Sequence, residues 1–545
     1  MADAAPANAL DKKLILLAAA ALLAIQIELL FAKSINWDEL FHFSQIHASI
    51  RGEHVQLLQT PFVRLFGWVA ELPGDYFDHI LLVRLLLVPF ALLTGAIIFD
   101  LVRRFTDRES AAIAALATMG SGYVFEHSFA LRADMIAATL AMAALWIIAT
   151  RPVRLLWAIA ALLLCVLAFF STIKSVLYAP AFVAMLCWRF RQRLQPKTML
   201  AAIAAVATAG IVIFLLLPAQ IAQAVISLTQ SAGGRMFDDG LFPRGNYLVN
   251  QLAMAPLVTG AILLTFARLW QVRKQPTETH AMHWWLAAGL LLPLASVIIY
   301  RNSFPYFYAF IMPPVAVGAA IGFAALKHSF GLRPILLVIL ANAALISFVE
   351  DRRVLGYQRV VAEGIDQIFG SPTRYIDDIA FRPDYPRAVP QFASGWALEG
   401  YRAVGRPIYR EAIEGSPVPF LFRQGYALEN ITLDPADSMA LLPDDAAALD
   451  RNYIRHWGQV YVAGRKFVPT AEPQLLEILV PGTYTVEIGP LTINGYAFGV
   501  GETVSLARGA LSIGPVGSAG SVLRWGDQLP RPDRPFPRGH LFTDY

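Results

Sequence analysis

The sequence predicts a polytopic α-helical membrane protein of about eleven transmembrane helices, followed by a C-terminal mixed α/β, β-rich domain outside the membrane. Three observations predict it. Of the 545 residues, 57% are hydrophobic and only 15% are charged, where a soluble globular protein carries about 25% charged residues. The apolar residues gather before residue 350 in repeated long runs, the pattern of helices that cross a bilayer. Beyond residue 350, Gly, Pro and acids rise and the apolar runs shorten.

The expected spans run over 14–31, 80–99, 111–125, 131–150, 155–170, 176–188, 199–218, 252–266, 284–300, 307–326 and 335–349. The stretch from Leu155 to Trp188 is too long for one ordinary span and is divided in two. Lys12 and Lys13 precede the first run, which is long for a signal-peptide core and lacks a small-x-small cleavage site. It reads as an uncleaved first helix. Cys165 and Cys187 both lie in apolar runs and provide no disulfide framework; they read as small buried hydrophobes.

Positive charge sets the orientation. Arg103, Arg104 and Arg108, then Arg151 and Arg154, then Arg189, Arg191, Arg193 and Lys197, then Arg268, Arg273 and Lys274, and finally Lys327 and Arg333 fall in alternate connections. That side is cytoplasmic, together with the N-terminus. An odd number of spans then puts the C-terminal segment outside, which in a bacterium is the periplasmic face of the inner membrane. The expected division is a membrane part over 1–350 and an outer domain over 351–545.

Three outer segments follow: a first loop over 32–79, a loop over 220–251, and the tail. In the first loop Leu40, Phe43, Ile46 and Ile50 share one helical face, and after Pro61 so do Phe62, Val63, Phe66 and Val69. Both read as helices lying in the membrane interface. In the tail, 351–470 reads as mixed α/β. From Thr483 onward, short alternating strands are punctuated by Gly, with a hairpin turn at Asn494-Gly495.

The chemistry-bearing residues collect at the outer helix ends. Asp38 and Glu39 follow the first span in INWDELFHF. Asn36 and Glu39 fit a capping box, and acids suit a helix N-terminus, but one acid would suffice. Asp38 is therefore the stronger candidate for function. FEHSFALRADM opens the fourth span. Asp134 suits a helix start, but Arg132 opposes both the helix dipole and the positive-inside trend, which points to an anion site with an acid beside it. Glu126 and His127 are weaker candidates. Lys174, Arg235, Arg244 and Arg301 are further outer cations. Together they suggest a basic cavity above apolar walls, suited to a phosphate on a long lipid. His42, His47, His54 and His79 recur in the first loop. Glu39 and His42, three residues apart, are spaced to share a divalent metal, which the pattern leaves open. No GxxxxGK[ST] or GxGxxG motif occurs, the cytoplasmic connections are too short for a nucleotide domain, and nothing points to nucleic acid. A reaction on the outer face must draw on an already activated, lipid-borne substrate.

With these residues in place, the sequence resembles the GT-C fold membrane glycosyltransferases, in particular the protein O-mannosyltransferase-like and lipid A aminoarabinose transferase-like branch. Asp38-Glu39 after the first span matches that family's acidic signature. Arg132-Ala133-Asp134 resembles its Arg-x-Asp element. Lys174 in STIKSVLYAP resembles its Thr-Lys-Gly turn, with Ser175 in place of Gly, and RNSFPYFYAFIMPP resembles its late outer loop with Arg301 displaced. The likeness covers residues 10–350 by topology; the tail matches in position only. It implies an inverting transfer of a sugar from a polyprenyl-phosphate donor to a lipid, polysaccharide or protein acceptor. Asp38 would be the general base, Glu39 and Asp134 would orient sugar or acceptor, and Arg132, Lys174 and Arg301 would hold the phosphate. Arg235, Arg244 and His42 are the remaining substrate-binding candidates.

Two other classes compete. A secondary transporter would place ionisable residues near the bilayer midplane, whereas these cluster at the outer ends. A non-catalytic, membrane-anchored envelope assembly factor would use the tail to bind a partner and would not need the acid pair.

Overall fold

The computed structural model describes residues 9–53, 64–190, 240–272, 278–389, 395–437 and 439–543. Among the described residues, five helices are long and apolar enough to cross a membrane: Ala9–Ala32, Tyr76–Val102, Ala133–Thr150, Ile173–Phe190 and Leu332–Phe369. At a rise of about 1.5 Å per residue, even the 18-residue members approach the roughly 30 Å of a bilayer core. Two bent pairs raise the number to seven if each is one span: Gly245–Met254 with Pro256–Gln271, and Pro305–Gly318 with Ala320–Phe330. The first bends by 98° at Ala255-Pro256, where proline cannot donate the next helical hydrogen bond. The second bends by 71° after Pro313-Pro314. Its lower half passes so close to Pro256–Val272 that a Cβ at Gly322 would overlap the Ala261 carbonyl. Leu155–Ser171 and Trp284–Ile298 are shorter apolar helices.

These helices follow the expected spans, with informative differences. The expected third span is two helices, Arg108–Met119 and Gly122–His127, broken at Gly120 and Ser121. The run from Leu155 to Trp188 divides at Thr172, whose extended backbone ends one helix before the 3₁₀ turn Ile173–Tyr178. The expected span 199–218 lies outside the described residues. Ala133–Thr150 is the most buried of the five long helices. Its Ala137, Ala141 and Leu145 pack on Phe310 and Val315 in one continuous core.

In the loop after the first span, α2 (Trp37–Ile50) buries Leu40, Phe43 and Ile46 but leaves Ile50 exposed. That face joins a core with Ile80, Ile346, Val361, Tyr385 and Phe420, so it is covered by protein. The second expected helix of this loop lies largely outside the described residues; Phe66 and Val69 are buried.

The C-terminal part begins as Leu332–Val349 continues into Arg353–Phe369. Gly370, left-handed at φ +67°, ends that helix. Among the described residues two sheets follow. The first contains β1 (Tyr375–Ile376), β2 (Phe420–Phe422), β3 (Tyr453–Trp457), β4 (Val460–Phe467), β6 (Gly482–Glu487), β9 (Thr503–Leu506) and β11 (Ser521–Trp525). Its order is β1-β2-β4-β11-β6-β9, with β3 also on β4. The second contains β5 (Gln474–Ile478), β7 (Leu491–Ile493), β8 (Tyr496–Phe498) and β10 (Gly509–Ile513), in the order β5-β10-β7-β8. The β7–β8 hairpin turns at Asn494-Gly495, both at positive φ, as the sequence predicts. Arg359 ties this part to the membrane helices through Asp75 and Asp78, each at 2.8 Å.

Candidate functional site

The site is built from the start of α2. Asn36 accepts the Asp38 N–H at 2.9 Å, and the Glu39 side chain accepts the Asn36 N–H at 3.0 Å, so the expected capping box is present. Glu39 does more than cap. Its Oε1 also accepts Arg84 Nε and the Leu131 N–H, both at 2.8 Å, and its Oε2 accepts Arg84 Nη2 at 2.5 Å. A carboxylate offers about four acceptor sites, and here all are taken. Arg84 is equally saturated. Its remaining hydrogens go to the carbonyls of Leu30, Lys33 and Ser34, at 3.0, 2.8 and 2.7 Å. These lie at the C-terminal end of α1 (Ala9–Ala32), where carbonyls lack helical partners. Both side chains are only 1% exposed. Burial by itself would raise the Glu39 pKa; attraction to Arg84 and the accepted hydrogen bonds outweigh it and hold the carboxyl below its ordinary value.

The Leu131 bond matters because the next residue is Arg132. Arg132 is extended, with φ −146° and ψ 154°, and immediately precedes the helix Ala133–Thr150. Glu39 thereby fixes the backbone that aims Arg132. Its guanidinium pairs with Asp38 through Nη1 and with Asp134 through Nε, the latter at 3.0 Å. Asp134 also pairs with Lys174, which stands in the 3₁₀ turn between two apolar helices. Four charged side chains from three separate segments thus form one chain, Asp38–Arg132–Asp134–Lys174. Tyr306 closes it, with its ring centroid 3.3 Å from the Arg132 guanidinium carbon and 5.0 Å from Lys174 Nζ. Side-chain exposures are 17% for Asp38, 11% for Arg132 and Lys174, and 6% for Asp134. Asp38 is therefore the more accessible acid, and Asp134 is held between two cations.

His42 is buried beside this chain. Burial, and next the charge of Arg132, push its pKa down to about 4, against opposing pulls from Asp38 and Asp134. At neutral pH it is an uncharged imidazole. Among the described residues no group of three or more His, Cys, Asp or Glu is placed to hold a metal ion, and the Glu39 carboxylate is engaged by Arg84.

The other sequence candidates have surroundings of their own. Arg301 forms a two-toothed pair with Glu399 of the C-terminal part. Arg244 lies 4.6 Å from the Phe304 ring centroid. Arg235 lies outside the described residues, as does His54. Glu126 and His127 line a cavity of about 230 Å³ with Lys33, Asn36 and Glu350. Sequence reasoning missed Arg84 and Tyr306. The signal for Arg84 was a single guanidinium inside the apolar run DHILLVRLLLV, where an ionisable residue needs a partner.

No family model matches the sequence, and no curated protein matches it. Solved structures of similar shape include ArnT from Cupriavidus metallidurans bound to undecaprenyl phosphate. That match is 14% identical over 82% of this chain and 97% of that one, with a TM-score of 0.49. The same protein in the apo state matches at 13% identity over the same shares, again with a TM-score of 0.49. The Archaeoglobus fulgidus oligosaccharyltransferase in its apo form is 11% identical over 75% of this chain and 69% of that one, with a TM-score of 0.47.

Proposed function

We propose that this protein is a membrane glycosyltransferase of the GT-C fold, moving a sugar from a polyprenyl-phosphate donor to an acceptor hydroxyl at the periplasmic face of a bacterial inner membrane, with inversion. The observation that carries the reading is the chain Asp38–Arg132–Asp134–Lys174, held at the ends of apolar helices and faced by Tyr306. Two cations and two acids balance, so the site is neutral before substrate enters. A donor phosphate would compete with the carboxylates for Arg132 and Lys174. Each exchanged pair involves about 4 kcal/mol at 4 Å and an effective dielectric constant near 20. As Arg132 turns to the phosphate, its hold on Asp38 weakens and the carboxylate can take a proton.

The step follows from these roles. The acceptor oxygen attacks the anomeric carbon from the side opposite the phosphate. The bond from that carbon to the phosphate oxygen breaks, and the electron pair stays on the phosphate. Lys174 and Arg132 stabilise the charge that develops there, and the acceptor proton passes to Asp38. Asp134 holds the two cations at their spacing. In this reading Glu39 is a positioning residue that acts through Arg84 and Leu131 rather than through substrate. Residues 1–350 supply the catalytic membrane part and 351–545 the outer domain.

The test is transfer from radiolabelled polyprenyl-phosphate sugars by the purified full chain, with membrane extract as acceptor. Asp38→Asn is expected to lower kcat by about 10²–10⁴-fold while the protein still binds polyprenyl phosphate. Wild-type rates in that variant would remove the mechanism.

A further inference from the structure

A second pocket, of about 540 Å³, opens on the other side of Trp37, one residue from Asp38. Its walls come from three parts of the chain. Trp37 supplies one and Phe542 the next, their rings 6.2 Å apart and inclined by only 29°. Gln424, just after β2, and Gln459, in the β3–β4 turn, supply the third, with Glu429 and Asn430 nearby. The walls are pinned to one another. The Arg423 N–H donates to the Gln459 carbonyl at 2.9 Å. Gln358, fully buried, accepts the Ile35 N–H at 2.9 Å and donates to the carbonyls of Ile35 and Leu541, both at 2.8 Å. That clamp fixes the C-terminal strap against the start of α2.

The side-chain amide oxygens of Gln424 and Gln459 are both buried, and among the described residues neither has a hydrogen-bond partner. Buried polar atoms are rarely left this way, because each lost partner is costly. Two such atoms in the wall of one pocket mark where ligand donors would sit. Among the described residues no Lys or Arg lines the pocket, so its chemistry differs from that of the Arg132–Lys174 centre and does not suit a phosphate. Aromatic faces set beside amides and two acids, Glu429 and Asp437, suit the alternating apolar faces and hydroxyls of a sugar. The volume falls within the range of about 300–1,000 Å³ usual for small-ligand sites.

We infer that the pocket between Trp37, Phe542, Gln424 and Gln459 binds an uncharged saccharide, the acceptor end of the transfer. This rests on the transferase reading for its role, though not for the binding itself. The test uses the full chain and a panel of free trisaccharides (manno-, malto- and xylotriose), with binding read by saturation-transfer NMR at concentrations up to about 10 mM. At least one trisaccharide is expected to bind wild type and Asp38→Asn alike. The double variant Gln424→Leu/Gln459→Leu is expected to weaken that binding by about tenfold or more, with the Kd for polyprenyl phosphate unchanged. Because the two buried amide oxygens have no partners to lose, the variant's Tm should equal or exceed that of wild type. A purely structural role would lower it. Binding of no trisaccharide by wild type, equal binding by the double variant, or a lowered Tm would each overturn the inference. Retained trisaccharide binding by a wild type that transfers no sugar would instead remove the transferase reading and leave the pocket standing.

Discussion

Glu39→Gln is the substitution that best separates a catalytic acid from a positioning one. The side chain accepts four hydrogen bonds, two of them from Arg84, and both partners are 1% exposed. Gln keeps the shape, but one oxygen becomes an NH₂ that points a donor at donors, and Arg84 is left charged and buried. Breaking a buried pair from one side costs about 3–5 kcal/mol, which for a large chain corresponds to a fall in Tm of roughly 5–10 °C. Thermal unfolding of the purified protein in detergent reads this directly. A double-mutant cycle with Arg84→Met isolates the pair. The double variant should be less destabilised than the sum of the singles, with a coupling of about 2–3 kcal/mol. It will not return to wild type, because the carbonyls of Leu30, Lys33 and Ser34 also lose their donor. Acid gives an independent check. A carboxyl whose folded pKa is depressed stabilises the protein above its ordinary value of 4.5, and that stability is lost as pH falls through the folded pKa. Wild type should show this acid loss, and Glu39→Gln should show less of it. A Glu39→Gln protein with the Tm of wild type, or strictly additive single variants, would refute the assignment of Glu39 to the framework.

The remaining predictions concern the charged chain and its neighbours. Arg132→Lys keeps the charge but cannot bridge Asp38 and Asp134 while stacking on Tyr306; kcat/KM for transfer should fall by about 10²-fold, and steady-state kinetics with the donor concentration varied checks it. His42 has its pKa pushed to about 4 from an ordinary 6.5, so between those values the unfolded chain holds a proton that the native one does not. Stability should therefore fall as pH drops through that window, by up to about 3 kcal/mol, and His42→Asn should flatten this part of a Tm-versus-pH curve. Arg301 pairs with a Glu399 side chain that is 44% exposed, so Arg301→Ala should cost at most about 1 kcal/mol of stability and far less activity than Arg132→Lys; equal losses in the two variants would place Arg301 at the phosphate.

Much of the membrane part could be read directly from the sequence, because a bilayer admits few solutions. Long apolar runs must become helices, and the hairpin at Asn494-Gly495 follows from two residues that accept positive φ. Asp38, Arg132, Asp134 and Lys174 stood out because charges are scarce beside the apolar runs, because one acid would suffice to cap α2, and because Arg132 opposes the helix dipole. The breaks inside spans were less legible. Gly120-Ser121-Gly122 is itself a break signal, with Gly120 capping one helix and Gly122, at φ +55°, opening the next, but the apolar residues on both sides of it read as one continuous span. The second pocket was not legible at all. Gln424, Gln459 and Phe542 carry no motif, and they meet Trp37 only after the sheet has folded and Gln358 has clamped the strap.

The sequence by itself determined which segments form long apolar helices and which charges sit at their ends, because hydropathy and helix periodicity are local properties. Tertiary structure alone decided how those charges are paired. Asp38 and Glu39 are adjacent in the chain but point about 100° apart on a helix, and so they meet different cations. One faces Arg132 at the accessible edge, and the other is sealed against Arg84. Which acid remains available for chemistry therefore depends on what packs against each side of α2, and that is a long-range contact.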